Sequence, residues 1–100
     1  MKWHEWIQEE INKAKKKRNL MEVITHHNLF TKAFLDEHTD FVHIQELYIT
    51  AKDLGYLKEE ITKEGLDEYF GSDNNNGVCI SWDNMLNEAI DQYVRDKEYK

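Results

Sequence analysis

Proline is missing from this 100-residue chain, and glycine occurs only four times. The strongest helix breaker is therefore absent, and most of the sequence is open to helix. Cysteine occurs once, as Cys79, which rules out an internal disulfide and fits a reducing, cytoplasmic setting. No apolar run approaches the roughly 18 residues that span a bilayer, so no membrane segment is expected. The opening Met1-Lys2-Trp3-His4-Glu5 is charged and amphipathic, unlike a secretory leader.

Positive charge is scarce as well: 13 Lys and Arg face 20 Asp and Glu, a net −7. The imbalance is local. Residues 1–36 hold seven cations and five acids, or +2, while residues 37–100 hold six cations and fifteen acids, or −9. A surface of that sign repels phosphate, so direct nucleic-acid binding is not expected, whereas a basic partner protein suits it. The same charge also serves plain solubility.

What is present is enough for one modest core: 40% of residues are apolar and 12% aromatic. One domain over 1–100 is expected, mainly α, with about five helices. Trp3, Trp6, Ile7, Ile11 and Ala14 recur at helical spacing over 2–17, and 15–18 close that helix with cations that suit its dipole. A second helix over 20–35 would turn Leu20, Val23, Ile24, His27, Phe30 and Phe34 to one face, with His27 in the core, although Val23-Ile24-Thr25 opposes helix locally. Thr39 or Asp40 is a candidate cap for a third helix carrying Phe41, Ile44, Leu47, Tyr48, Ala51 and Leu54, ended by Gly55. A short helix over 59–70 follows, then an Asn/Gly-rich loop. Ser81 caps a last helix with Trp82, Leu86, Ala89, Ile90, Tyr93 and Val94 on one face.

The loop Ser72-Asp73-Asn74-Asn75-Asn76-Gly77-Val78-Cys79-Ile80-Ser81-Trp82-Asp83 has oxygen-bearing side chains at positions 1, 3, 5 and 12 and glycine at 6. Over about 36–95 the order of motifs resembles a degenerate EF-hand pair. The resemblance implies Ser72, Asn74, Asn76 and Asp83 as side-chain ligands for Ca²⁺, with the Val78 carbonyl as a fifth. Cys79 stands where that family carries Ile, and Asp83 stands for its bidentate Glu. Only one of the four side chains is charged, and calcium affinity rises with ligand charge. The other reading is a polar turn that launches a Ser-capped helix, with no metal.

Thr50-Ala51-Lys52-Asp53-Leu54-Gly55-Tyr56 followed by Ile61 resembles the helix-turn-helix core of small phage repressors. That would make 58–65 a recognition helix, yet those eight residues carry net −1, against what a major groove attracts. The five histidines show no metal-ligand spacing, and adjacent acid pairs such as Glu59-Glu60 do not converge on one substrate. There is no phosphate loop or nucleophile motif, so no enzyme activity and no cofactor are expected. The favoured reading is a small acidic inhibitor or adaptor of phage or mobile-element type. Glu46, Asp53, Glu59, Glu60, Glu64, Asp67, Glu68 and Asp73, with Asn74 and Asn75, would contact a basic, nucleic-acid-binding surface of a partner. A calcium-responsive module and a helix-turn-helix regulator stand as alternatives.

Overall fold

The computed structural model describes residues 3–73, 77–78 and 80–98, the side chain of Glu98 excepted. Among these there are six helices and no strand: α1 (Trp3–Lys17), α2 (His26–Leu29), α3 (Lys32–His38), α4 (Ile44–Asp53), α5 (Lys63–Phe70) and α6 (Trp82–Glu98). The mainly α expectation holds, with one helix more than the sequence periodicity suggests. The buried apolar side chains form one continuous cluster, to which α1, α4, α5 and α6 contribute their apolar stripes.

Helix α1 follows its periodicity, with Ile7, Ile11 and Ala14 buried. It ends through Asn19, whose φ of 56° takes the left-handed conformation usually left to glycine. Leu20 N–H then reaches back to Lys15 O and Asn19 N–H to Lys16 O, pairing carbonyls that the helix end would otherwise strand.

The single helix expected over 20–35 is replaced by a non-helical stretch and two short helices. Thr25 Oγ1 accepts from Asn28 N–H and Thr31 Oγ1 from Phe34 N–H, so each threonine starts a new helix rather than continuing an old one. The rearrangement buries Ile24, Leu29, Phe30, Phe34 and Leu35. It leaves Val23 and His27 at the surface, against the expectation that both face the core.

Thr39 caps the end of α3 instead of the start of α4: its hydroxyl donates to Leu35 O at 2.9 Å and accepts from Phe41 N–H at 3.0 Å. His43 is the N-cap of α4, and Glu46 accepts the His43 N–H. Gly55, at φ 91°, ends α4 as expected. The helix expected from residue 59 begins only at Lys63, capped by Thr62, because 56–62 runs irregularly to bury Leu57 and Ile61.

That corrects the helix-turn-helix reading. Residues 54–62 separate α4 from α5, far more than the tight turn that motif needs, and most of the supposed recognition helix is not helical. Ser81 starts α6 as expected, accepting Asn84 N–H.

Two contacts set α6 against the rest. Trp82 N–H donates to Asp67 Oδ1 of α5 at 2.8 Å, and the Trp82 ring packs on Trp6 and Phe30 with centroids 5.3 and 5.9 Å away. Glu10, a buried carboxylate on α1, is held by Lys13 at 3.3 Å and by Lys63 of α5 at 3.4 Å, and Lys63 also reaches Asp83 of α6 at 3.4 Å. Glu10 and then Asp83 hold the Lys63 ammonium above its usual pKa against the opposing effect of burial.

Gly65 sits where α5 meets the preceding segment. A Cβ there would lie 2.5 Å from Tyr56 O and 2.8 Å from Leu57 Cδ2. Helix propensity favours Gly65→Ala by up to about 1 kcal/mol, but the backbone clash opposes it and overpacking costs about 1–3 kcal/mol. Urea denaturation should therefore show the variant destabilised by about 1–2 kcal/mol; a stabilised variant would mean that the segment yields freely.

Candidate protein-binding surface

All eight acidic residues singled out for partner contact and described in the structure are exposed. They come from α4 (Glu46, Asp53), the connection to α5 (Glu59, Glu60), α5 itself (Glu64, Asp67, Glu68) and the turn after it (Asp73). Helices α4 and α5 pack on each other, so most of the carboxylates belong to two neighbouring helices and the segment joining them.

The eight are not equivalent. Asp67 carries the Trp82 N–H and Glu46 the His43 N–H, which gives both a structural task that the sequence does not announce. The carboxylates of Asp53, Glu59, Glu60, Glu64, Glu68 and Asp73 have no ion pair or side-chain hydrogen bond among the described residues. Between residues 40 and 73 there are nine acids and three lysines, a net −6. One of those lysines, Lys63, is already engaged by Glu10 and Asp83. Lys52 and Lys58 alone remain to offset the surface.

The loop expected to offer Asn74, Asn75 and Asn76 lies outside the described residues, as does Cys79. Of the other candidate calcium ligands, Ser72 Oγ donates to Tyr69 O at 2.6 Å, and Asp83 pairs with Lys63. Among the described residues no three His, Cys, Asp or Glu side chains converge as a metal site would require. Gly77 takes φ 81°, and a Cβ there would meet the Asp40 carboxylate at 3.1 Å. Burial, followed by the negative charge of Asp40, pushes the Tyr69 hydroxyl up to about 12, so this ring stays protonated beside the loop.

Sequence spacing also misses one grouping. His4, His26 and His27 line a single groove with Glu5 and Glu9, because α2 folds back against α1. The His26 ring lies 4.0 Å from that of His27 and 5.0 Å from Trp3. No helical repeat joins residues 4 and 26, so only the fold reveals the group.

Comparison with protein-family models, with curated proteins and with solved structures returns no match. Among the described residues no helix is long and apolar enough to cross a membrane.

The histidine groove makes stability depend on pH. Burial, then the neighbouring His27 and His4, hold the His26 imidazole below its usual value of 6.5. The unfolded chain therefore takes up this proton before the folded chain does. Stability contributed here is present above about pH 6.5 and lost as pH falls below it. Melting temperature against pH should fall in that window for the wild type and flatten in His26→Gln; parallel curves would assign the dependence to other groups.

Proposed function

We propose that this chain is a non-enzymatic protein-binding module, an inhibitor or adaptor of the phage or mobile-element type. Its acidic α4–α5 surface would occupy a basic, nucleic-acid-binding face of a partner protein. The observation that carries the reading is the set of six exposed carboxylates without a neutralising cation, on packed elements with fixed spacing. Such a surface presents negative charge much as a phosphate backbone does, and it attracts the lysines and arginines that line nucleic-acid channels.

The packed frame adds to the effect. Two helices held on one core present their charges already arranged, so less ordering entropy is lost on docking than with a flexible acidic tail. The mechanism is steric and electrostatic: the module blocks the channel without chemical change, and the interaction is screened beyond about 8–10 Å at physiological salt.

Immobilised chain should capture a basic protein from a bacterial lysate at about 50 mM salt and release it by about 500 mM. Duplex DNA should displace it. Neutralising four of the free carboxylates (E59Q/E60Q/E64Q/E68Q) should weaken capture about tenfold or more. Capture that is indifferent to salt, to DNA and to these substitutions would refute the reading.

A further inference from the structure

Glu5 and Glu9 stand one turn apart on α1 and are exposed, and neither carboxylate has an ion pair or a hydrogen bond among the described residues. They share an open groove of about 470 Å³ with His4, Gln8, His26 and His27. That volume falls in the range of small-ligand sites, about 300–1,000 Å³. The three imidazoles also make no hydrogen bond among the described residues.

Both walls are fixed. Gln8 Nε2 donates to Ile24 O at 2.9 Å and to Asn12 Oδ1 at 3.2 Å, which ties the stretch before α2 to α1 and leaves Gln8 Oε1 free to accept. The capping box between Thr25 and Asn28 sets the start of α2, so His26 and His27 are its first two residues. Their rings end a row of aromatic groups. Tyr48 stacks on Trp3 with centroids 6.1 Å apart, Trp3 meets His26 at 5.0 Å, and His26 meets His27 at 4.0 Å.

The chemistry of the lining selects the occupant. Carboxylates, an amide oxygen and imidazole nitrogens can all accept hydrogen bonds, and among the described residues no lysine or arginine lines the groove. Lys13, one turn past Glu9, is turned to Glu10 at 3.3 Å instead. Lys16, the next cation on this face, is seven residues past Glu9, about 10 Å along the helix. Burial, ahead of the neighbouring histidines, holds the His26 ring below its usual value, so at pH 7 it adds no opposing charge. Glu5 lies in the first turn and suits the helix dipole there, but Glu9 is a turn beyond that task. The groove thus attracts a cation and repels an anion. A metal ion does not fit, because no three His, Cys, Asp or Glu side chains converge among the described residues. A guanidinium fits on two counts: its flat face stacks on rings, and its edge carries N–H groups that pair with carboxylates. A compact ammonium uses only the charge.

We infer that the α1–α2 groove binds an arginine side chain of a partner protein, with Glu5 and Glu9 pairing the guanidinium and the His26 and His27 rings supporting its face. The inference rests on residues separate from the α4–α5 carboxylates, so it stands or falls independently of the surface proposed above.

Titration of the full chain with N-acetyl-arginine amide at pH 7.5, followed by proton NMR, tests it. The ring resonances of His26 and His27 and the indole resonance of Trp3 should shift and saturate. N-acetyl-lysine amide should bind about tenfold more weakly. E5Q/E9Q should weaken arginine binding about tenfold; both side chains are exposed and unpaired, so the fold does not rest on them. His27→Ser, at an exposed ring, should weaken it severalfold by a separate route. E59Q/E60Q/E64Q/E68Q should bind the amide like the wild type. The absence of a saturable shift at the groove overturns the inference. So does equal binding of the lysine amide, or arginine binding that survives E5Q/E9Q or is lost with the α5-side substitutions.

Discussion

The placement of Trp82 at the first turn of α6 is the constraint on which the rest of the fold depends. Its backbone N–H is taken by Asp67, its ring fills the space between Trp6 and Phe30, and it is 1% exposed. One residue thereby fixes α6 to α5 by a hydrogen bond and to α1 and the α2 region by packing. A chain of this length has few such side chains, and burying one aromatic contributes about 1.5–3 kcal/mol, a large share of a small domain's net stability. Its indole Nε1 is buried without a hydrogen-bond partner among the described residues, and that unmet donor offsets part of the gain. The shape of the ring, more than its polarity, secures the position.

Glu10 shows how the chain treats a charge that it cannot leave outside. Burying a carboxylate is costly unless cations and hydrogen bonds replace water. Here two lysines do so, one from the same helix and one from α5. Recruiting Lys63 has a consequence elsewhere. It removes a cation from the segment that carries the surplus of acids, and five of the other twelve cations cluster at Lys13 and 15–18, toward the end of α1. The free carboxylates of α4 and α5 are thus partly a product of the core's own electrostatics. Self-repulsion among them lowers the stability of the folded state. Solubility alone does not need that concentration on packed neighbours, since scattered charge serves it equally well.

The legible parts of the fold were those governed by one period. Helices α1 and α6 bury Ile7, Ile11, Ala14, Trp82, Leu86, Ala89 and Ile90, as their 3.6-residue repeat selects. Trp3, Trp6, Tyr93 and Val94 are partly buried at the ends of those stripes, and Gly55 and Ser81 cap where their chemistry puts them. What failed was punctuation by threonine. Thr25, Thr31 and Thr62 all start helices, yet a threonine in an apolar-periodic run also reads as an ordinary helical residue. The choice is made by whether Ile24, Leu57 and Ile61 gain more from the core in an extended path, which is tertiary information. Asn19 is a similar case, because nothing in Arg18-Asn19-Leu20 distinguishes a left-handed cap from a surface asparagine. For the candidate surface, the acid-rich segment was legible as composition. The division of labour within it, with Asp67 and Glu46 serving the backbone and six others left free, was not.

Between these levels lies a point about Lys63. Its ammonium touches Glu10 on α1 and Asp83 on α6 while it stands at the first position of α5. A cation at a helix N-terminus opposes the helix dipole, which ordinarily favours acids there. The position is tolerable only because two carboxylates from other helices meet it. The start of α5 at Lys63 is therefore coupled to the packing of α1 and α6, just as the start of α6 at Trp82 is coupled to Asp67 of α5. On this argument the acidic surface and the two long helices hold each other in place, because the charges that cap one element belong to the others.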